Sequence, residues 1–218
     1  MVKAIVFDLD DTLYDYISCN RIAEEVLYKK INELFGISID EATTKLYEAK
    51  KRVKKRLGNT AAAHNRLLYM QILCELLDKN PIKYTKLLYD CYWDTMLDNM
   101  ELFDYVIPLF EEIKRRDIKI GILTDLTAHI QIRKLNKLGI EDYIDVLVTS
   151  EEAGEEKPSD KMFELVLKKL NCNPDQVVMI GDSYEKDIMG AKKMGMKTIL
   201  FEKGKDILYE TLDSYSLL

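Results

Sequence analysis

Ala4-Ile5-Val6-Phe7-Asp8-Leu9-Asp10-Asp11-Thr12-Leu13 is an apolar run that ends in two carboxylates spaced i and i+2. A short run of this kind suits a strand buried on both faces, as in a parallel sheet. Side chains on extended backbone alternate between faces, so Asp8 and Asp10 fall on the same side at the C-terminal edge of the strand. Two anions so placed repel each other. A divalent cation, an opposing lysine or a raised pKa would relieve that repulsion, and each is a device of catalysis. Taken alone, the pair fits a solvated turn equally well, with the aspartates bonding their own backbone.

Outward from this stretch, further Val/Ile/Leu-rich runs occur at Ile118-Leu123, Ile144-Val148, Val177-Ile180 and Thr198-Phe201, with helical patterns between them. Pro108 suits a first helical position, a helix from Thr127 to Leu138 is expected to stop at Gly139, and Ser159 is a candidate cap for a helix with the stripe Phe163, Val166, Leu167 and Leu170. Strands alternating with helices imply an α/β fold with a doubly wound parallel sheet. Between residues 16 and 98 the apolar period is instead 3.6, as in Ile22, Val26, Ile31 and Leu34, then Leu46, Ala49, Val53 and Leu57. Ser38-Ile39-Asp40-Glu41 reads as a capping box. Leu67 to Leu77 and Tyr84 to Leu97 supply two more helices, so an inserted four-helix bundle is expected at 16-98, with residues 1-15 and 99-218 forming the α/β core.

The 218 residues, 47% hydrophobic and 32% charged, suffice for a substantial core. No stretch approaches a membrane span and the N-terminus lacks a leader pattern, so a cytoplasmic protein is expected. Cys19, Cys74, Cys91 and Cys172 are widely spaced with no Cys-x-x-Cys pair, which argues against a zinc site and for free thiols. The net charge of -6 speaks against general nucleic-acid binding. Its distribution is uneven, since residues 15-98 carry 14 Lys+Arg against 12 Asp+Glu and the acidic excess lies in the flanks.

Ligands of open α/β sheets bind beyond the carboxyl ends of the strands. The residues there form a set: Asp8 and Asp10 after the first strand, Thr124 and Asp125 after the second, Lys157-Pro158 in the loop after the third, and Gly181-Asp182-Ser183 with Asp187 after the fourth. Phe7-Asp8-Leu9-Asp10-Asp11-Thr12-Leu13, Ile122-Leu123-Thr124-Asp125, Lys157-Pro158 and Gly181-Asp182-Ser183-Tyr184-Glu185-Lys186-Asp187 resemble, in order, the four motifs of the haloacid dehalogenase-like (HAD) hydrolase superfamily. The helical insertion after the first motif resembles the cap of its first subfamily, by position and helical character. Asp11 stands where many relatives have glycine, and Asp125 where many have asparagine.

The resemblance implies a Mg²⁺-dependent phosphatase acting on a small phosphorylated metabolite. Phosphate monoesters resist attack because their charged oxygens repel nucleophiles, so neutralising that charge comes first. Asp8, Asp182, Asp187 and the backbone carbonyl of Asp10 would provide the all-oxygen shell that Mg²⁺ prefers. Asp8 is expected to attack phosphorus and form an aspartyl-phosphate, while Asp10 protonates the leaving alcohol and then activates water. Thr124, Asp125 and Lys157 would bind the phosphoryl group, and Asp187 would orient Lys157 or metal-bound water. Dehalogenases of the superfamily lack an aspartate at the position of Asp10, because a halide needs no proton; its presence favours an oxygen leaving group. A phosphomutase and a nucleotide monophosphate phosphatase are the alternatives within the superfamily, and overall similarity leans to members acting on glyceraldehyde 3-phosphate.

In the insertion, Lys50-Lys51-Arg52-Val53-Lys54-Lys55-Arg56 reads as the solvated side of a helix whose narrow apolar stripe includes Val53. The loop from Asn59 to Arg66 resembles His/Arg-containing loops of relatives that face the active site, which makes His64 and Arg66 candidates for substrate contact. Trp93 and its neighbouring tyrosines suit the bundle core, and His129 a helix surface. Neither the metabolite nor the oligomeric state is legible in these patterns.

Overall fold

β1 (Ala4–Phe7), the strand that carries the aspartate pair, lies at the centre of the sheet and every one of its residues is buried. The computed structural model describes residues 1–203, in which the chain forms two compact units: Met1–Asp15 with Glu101 onward, and Tyr16–Met100. After β1 come the helices α1 (Tyr16–Phe35), α2 (Ile39–Leu57), α3 (Arg66–Leu76) and α4 (Pro81–Asp98) of the second unit. The first unit resumes with α5 (Val106–Arg115), β2 (Lys119–Thr124), α6 (Ala128–Leu138), β3 (Val146–Thr149), α7 (Ser150–Ala153), α8 (Asp160–Leu170), β4 (Val177–Gly181), α9 (Gly190–Lys193) and β5 (Lys197–Leu200).

All five strands are parallel, in the order β3-β2-β1-β4-β5, with Phe7 in register with Ile122 on one side and Ile180 on the other. The fold is thus the expected doubly wound α/β sheet with helices around it. Winding reverses at β1, whose neighbours β2 and β4 lead to opposite edges, and the carboxyl ends of β1 and β4 flank this switch point.

Period-two alternation decides which helix each β1 residue meets. Ala4 and Val6 join Leu123, Val148, Val177 and Met179 in a core closed by Met162, Phe163, Val166, Leu167 and Leu170 of α8. That is the stripe expected from the sequence, extended by Met162. Phe7 points the other way, its ring 5.1 Å from that of Phe110 on α5. Each such side chain contributes roughly 1.5–3 kcal/mol on burial. Gly121 of β2 permits the close fit on the α8 side: a Cβ there would lie 3.3 Å from Val6 Cγ2 and 3.7 Å from both Val166 and Leu170.

Two boundaries differ from the sequence pattern. α5 starts at Val106, so Pro108 sits third in the first turn, where its missing N–H has no intrahelical partner to lose. Ser159 precedes α8 but its hydroxyl bonds Glu155 (2.6 Å) instead of capping the helix. Gly139 ends α6 in the left-handed conformation as expected.

In the second unit, Ser38 Oγ accepts from Glu41 N (3.1 Å), Asn65 Oδ1 from Leu67 N (2.9 Å) and Asn80 Oδ1 from Lys83 N (3.2 Å), so three of the four helices begin on side-chain caps. The buried face of α2 holds Leu46, Ala49 and Val53, leaving the basic residues from Lys51 to Arg56 exposed. On α1 the buried face is Cys19, Ala23, Leu27 and Ile31, whereas Val26 is 38% exposed. The buried face thus runs through the small residues Cys19 and Ala23 and not through the expected Ile22 and Val26. Trp93, Tyr69 and Tyr92 are buried in this unit. Among the described residues no helix is long and apolar enough to cross a membrane.

Gly121→Val is expected to lower unfolding free energy by about 1–3 kcal/mol, the ordinary cost of overpacking. A urea midpoint equal to that of the wild type would show that the β2–α8 approach has room to spare.

Candidate active site

The backbone of β1 carries its register one residue past the strand. Asp8 N donates to Ile180 O (2.9 Å), which fixes the first aspartate at the switch point. Asp11 follows at φ +61°, the left-handed region open to aspartate, asparagine and glycine, so the chain turns sharply after the pair. Thr12 Oγ1 then accepts from Asp182 N (3.1 Å), tying the turn after β1 to the one after β4.

Lys157 is the hub. The residue is 4% exposed, and its ammonium donates to Asp8 Oδ1 (2.6 Å), Asp187 Oδ1 (2.7 Å) and the Leu123 carbonyl (3.0 Å), which satisfies all three of its protons. Burial alone would depress the lysine, but the charges of Asp187 and Asp8 hold its pKa above the usual range. The Asp8 carboxyl is pushed well above its ordinary value by burial, with Lys157 opposing and the charges of Asp187 and Asp10 adding to the rise. Asp182, on the exposed side, is raised by burial of its carboxyl and by Asp187.

Asp187 reaches the cluster from a π-helical turn, Tyr184–Met189, that follows β4. Ser183 caps this turn through Lys186 N (3.2 Å), and Ser183 N donates to Asp187 Oδ2 (3.0 Å). The fully buried carboxylate packs against the backbone of Gly181, where a Cβ would fall 2.7 Å from Asp187 Cβ. Glycine at the end of β4 is therefore a spatial requirement of the site.

Oxygen atoms of Asp8, Asp182 and Asp187 lie within 4.8 Å of one another. One ammonium faces three carboxylates, an excess of negative charge, and the donors are all hard oxygens. Such a set fits Mg²⁺, which takes a few carboxylates and retains water.

Thr124 and Asp125 form the adjoining part of the site. Leu126 behind them adopts φ +81°, a conformation costing a bulky residue about 1–2 kcal/mol, with its carbonyl bonded by Ser150 Oγ (3.3 Å) and Glu151 N (3.4 Å). The Asp125 carboxylate accepts from Lys157 N (3.0 Å) and Lys186 Nζ (2.8 Å), so its oxygens join the three loops. Asp10 stands apart from the three-carboxylate cluster. Lys134 donates to both its oxygens (2.7 and 2.8 Å), and Tyr14 OH donates to Oδ1 (2.7 Å).

Lys134 and Gln131, both completely buried, are site residues that motif spacing does not reveal. Gln131 Nε2 donates to Thr124 Oγ1 (2.5 Å) and to the Asp125 carbonyl (2.7 Å). A signal was present: both polar residues share the buried face of α6 with Ile130 and Leu135, where an amphipathic helix has no use for them unless they have partners. In the helical unit, Arg66 donates to Tyr16 OH (2.6 Å) and the His64 carbonyl (2.8 Å) and lies 5.5–5.9 Å from the rings of Tyr69, Tyr92 and Trp93. These partners all belong to its own unit. His129 is exposed, as expected.

Lys157→Met is expected to cost about 3–5 kcal/mol, since it leaves Asp8 and Asp187 buried without their shared cation. Chemical denaturation of the metal-free protein measures this, and a loss below about 1 kcal/mol would show that the carboxylates tolerate one another.

A family model described as haloacid dehalogenase-like hydrolase matches residues 2–195. Ribulose-1,5-bisphosphate 5-phosphatase of Halopiger xanaduensis is 40% identical over 209 residues, covering 94% of this chain and 87% of its own. Glyceraldehyde 3-phosphate phosphatase of Methanopyrus kandleri is 33% identical over 207 residues, covering 94% and 86%. The crystal structure of a HAD phosphatase from Thermococcus onnurineus superposes with a TM-score of 0.73 at 26% identity, covering 98% of both chains. With the site at the carboxyl ends of the parallel strands and similarity along nearly its full length, the chain belongs to the haloacid dehalogenase-like hydrolase family.

Proposed function

We propose that the chain is a Mg²⁺-dependent phosphatase that hydrolyses a small sugar phosphate through an aspartyl-phosphate on Asp8. The observation that carries this reading is the separation of two carboxylates at one strand end. Asp8 lies in the Lys157 cluster, while Asp10 is held by Lys134 and Tyr14. Such a division suits two roles, nucleophile and proton carrier. The names of the relatives in Halopiger and Methanopyrus support the substrate class, a phosphorylated sugar or triose.

In this scheme the Thr124 hydroxyl binds a phosphoryl oxygen, Lys157 offers its positive charge to the phosphoryl group while holding Asp8, and Asp125 holds the Lys157 loop and Lys186 in place. An Asp8 oxygen attacks phosphorus in line, the bond to the leaving oxygen breaks, and Asp10 supplies its proton. Asp10 then takes a proton from water, which attacks the phosphoryl group, releasing inorganic phosphate and regenerating Asp8. Mg²⁺ bound by Asp8, Asp182, Asp187 and the Asp10 carbonyl would supply the charge neutralisation that lets a carboxylate approach a phosphate. The helical unit acts as the cap that selects the leaving group, since exclusion of water and choice of substrate lie outside the strand-end chemistry.

A phosphate-release screen tests the proposal with ribulose 1,5-bisphosphate, glyceraldehyde 3-phosphate and nucleoside monophosphates, each with Mg²⁺ and with EDTA. Release that needs Mg²⁺, is greatest on a sugar phosphate and proceeds without a bisphosphate activator is the expected outcome. A requirement for such an activator would favour a phosphomutase, and a preference for nucleoside monophosphates would move the substrate class. Asp8→Asn is expected to lower kcat by about 10³-fold or more and Asp10→Asn by about 10²–10⁴-fold. Turnover undiminished in Asp8→Asn would remove the covalent route.

A further inference from the structure

Gln131 spends its carboxamide in an unusual way. The side chain is completely buried, both bonds of Nε2 go to the loop after β2, and Oε1 is buried without a partner. An orphaned buried acceptor costs about 1–3 kcal/mol, and it persists where another requirement outweighs it. Rotating the amide by half a turn would give no relief. The Asp125 carbonyl can only accept, so it needs Nε2 at 2.7 Å and would repel Oε1 in its place. The orientation of the amide is therefore set by the backbone of the very loop that carries Thr124.

That orientation decides the polarity of the Thr124 hydroxyl. A hydroxyl has one proton and two lone pairs. Facing an N–H donor at 2.5 Å, Thr124 Oγ1 must accept from Gln131, which keeps its own proton free of that contact. The intramolecular acceptor within reach, the Asp125 carbonyl, is 3.4 Å away and already takes the shorter bond from Gln131. We propose that Gln131 is a positioning residue for phosphoryl binding: by forcing Thr124 Oγ1 to accept on the α6 side, it reserves the hydroxyl proton for an oxygen of the bound phosphoryl group. The ligand class is a tetrahedral oxyanion, and the selectivity is for a group that accepts a hydrogen bond. This inference rests on the reading of Thr124 as a phosphoryl ligand given above.

Binding of inorganic phosphate, measured by calorimetry in saturating Mg²⁺, tests both layers separately. Thr124→Val is expected to weaken phosphate at least tenfold; if it does not, Thr124 is no phosphoryl ligand and the inference falls with that reading. Given that loss, Gln131→Met is expected to weaken phosphate about tenfold in the wild-type background and less than twofold in Thr124→Val, because its effect passes through the hydroxyl. An equal loss in both backgrounds, or none in the wild type, would overturn the role of Gln131 while leaving Thr124 in place. Should Gln131→Met fold poorly by near-UV circular dichroism, the uncharged Gln131→Leu serves instead, with the same tenfold loss expected and again confined to the background that has the hydroxyl.

Discussion

The three hydrogen bonds of the Lys157 ammonium bind three strand ends into one site. Asp8 follows β1, the Leu123 carbonyl belongs to β2 and Asp187 comes from the turn after β4. The lysine itself arrives in the loop after β3, so a single buried cation meets all the segments that supply chemistry. In the low-polarity interior each bond to a charged partner is stronger than in water, and each unmade one would be costly. The surrounding details follow from this constraint. Gly181 has no side chain because Asp187 needs the space, and the π-helical turn brings that carboxylate back toward β4. The carboxylate of Asp125 fixes the lysine's own backbone.

One cation does not balance three carboxylates. The raised pKa of Asp8 reports burial and crowding by Asp187 and Asp10 that Lys157 offsets only in part. A divalent ion would complement the set, and a phosphoryl dianion would then enter a site whose excess negative charge had been neutralised. Asp10 lies near enough to act on Asp8 but has a lysine of its own on α6. Two carboxylates separated by one residue thereby acquire different surroundings, which residue spacing alone does not distinguish.

α6 has a larger part than its motif-free sequence suggests. Its buried face holds Ile130 and Leu135 for packing, and Gln131 and Lys134 for the site. Gln131 donates to Thr124 and Lys134 to Asp10, so one helix supports a hydroxyl and a carboxylate at the ends of different strands. Residues of this kind belong to no short motif, yet their hydrogen bonds orient the motif residues.

Much of the fold was legible in the chain. Apolar runs such as Ala4–Phe7 and Val177–Ile180 become parallel strands because burial on both faces demands continuous hydrophobicity. The stripe on α8 was equally plain, and the four motifs name the residues that gather at the strand ends. On α1 the buried face runs through Cys19, Ala23, Leu27 and Ile31, so of the expected stripe only Ile31 is fully buried; small residues such as Cys19 and Ala23 give a weak apolar signal in sequence. The resemblance to the family implies that Lys157 meets Asp8 and Asp187, whereas tertiary structure alone decided that Lys134 pairs with Asp10 across 124 residues. Sequence specifies which groups lie within a few residues of each other, since backbone geometry has a fixed period. Long-range electrostatic partners depend on sheet order and helix orientation, which are settled only when the whole core closes.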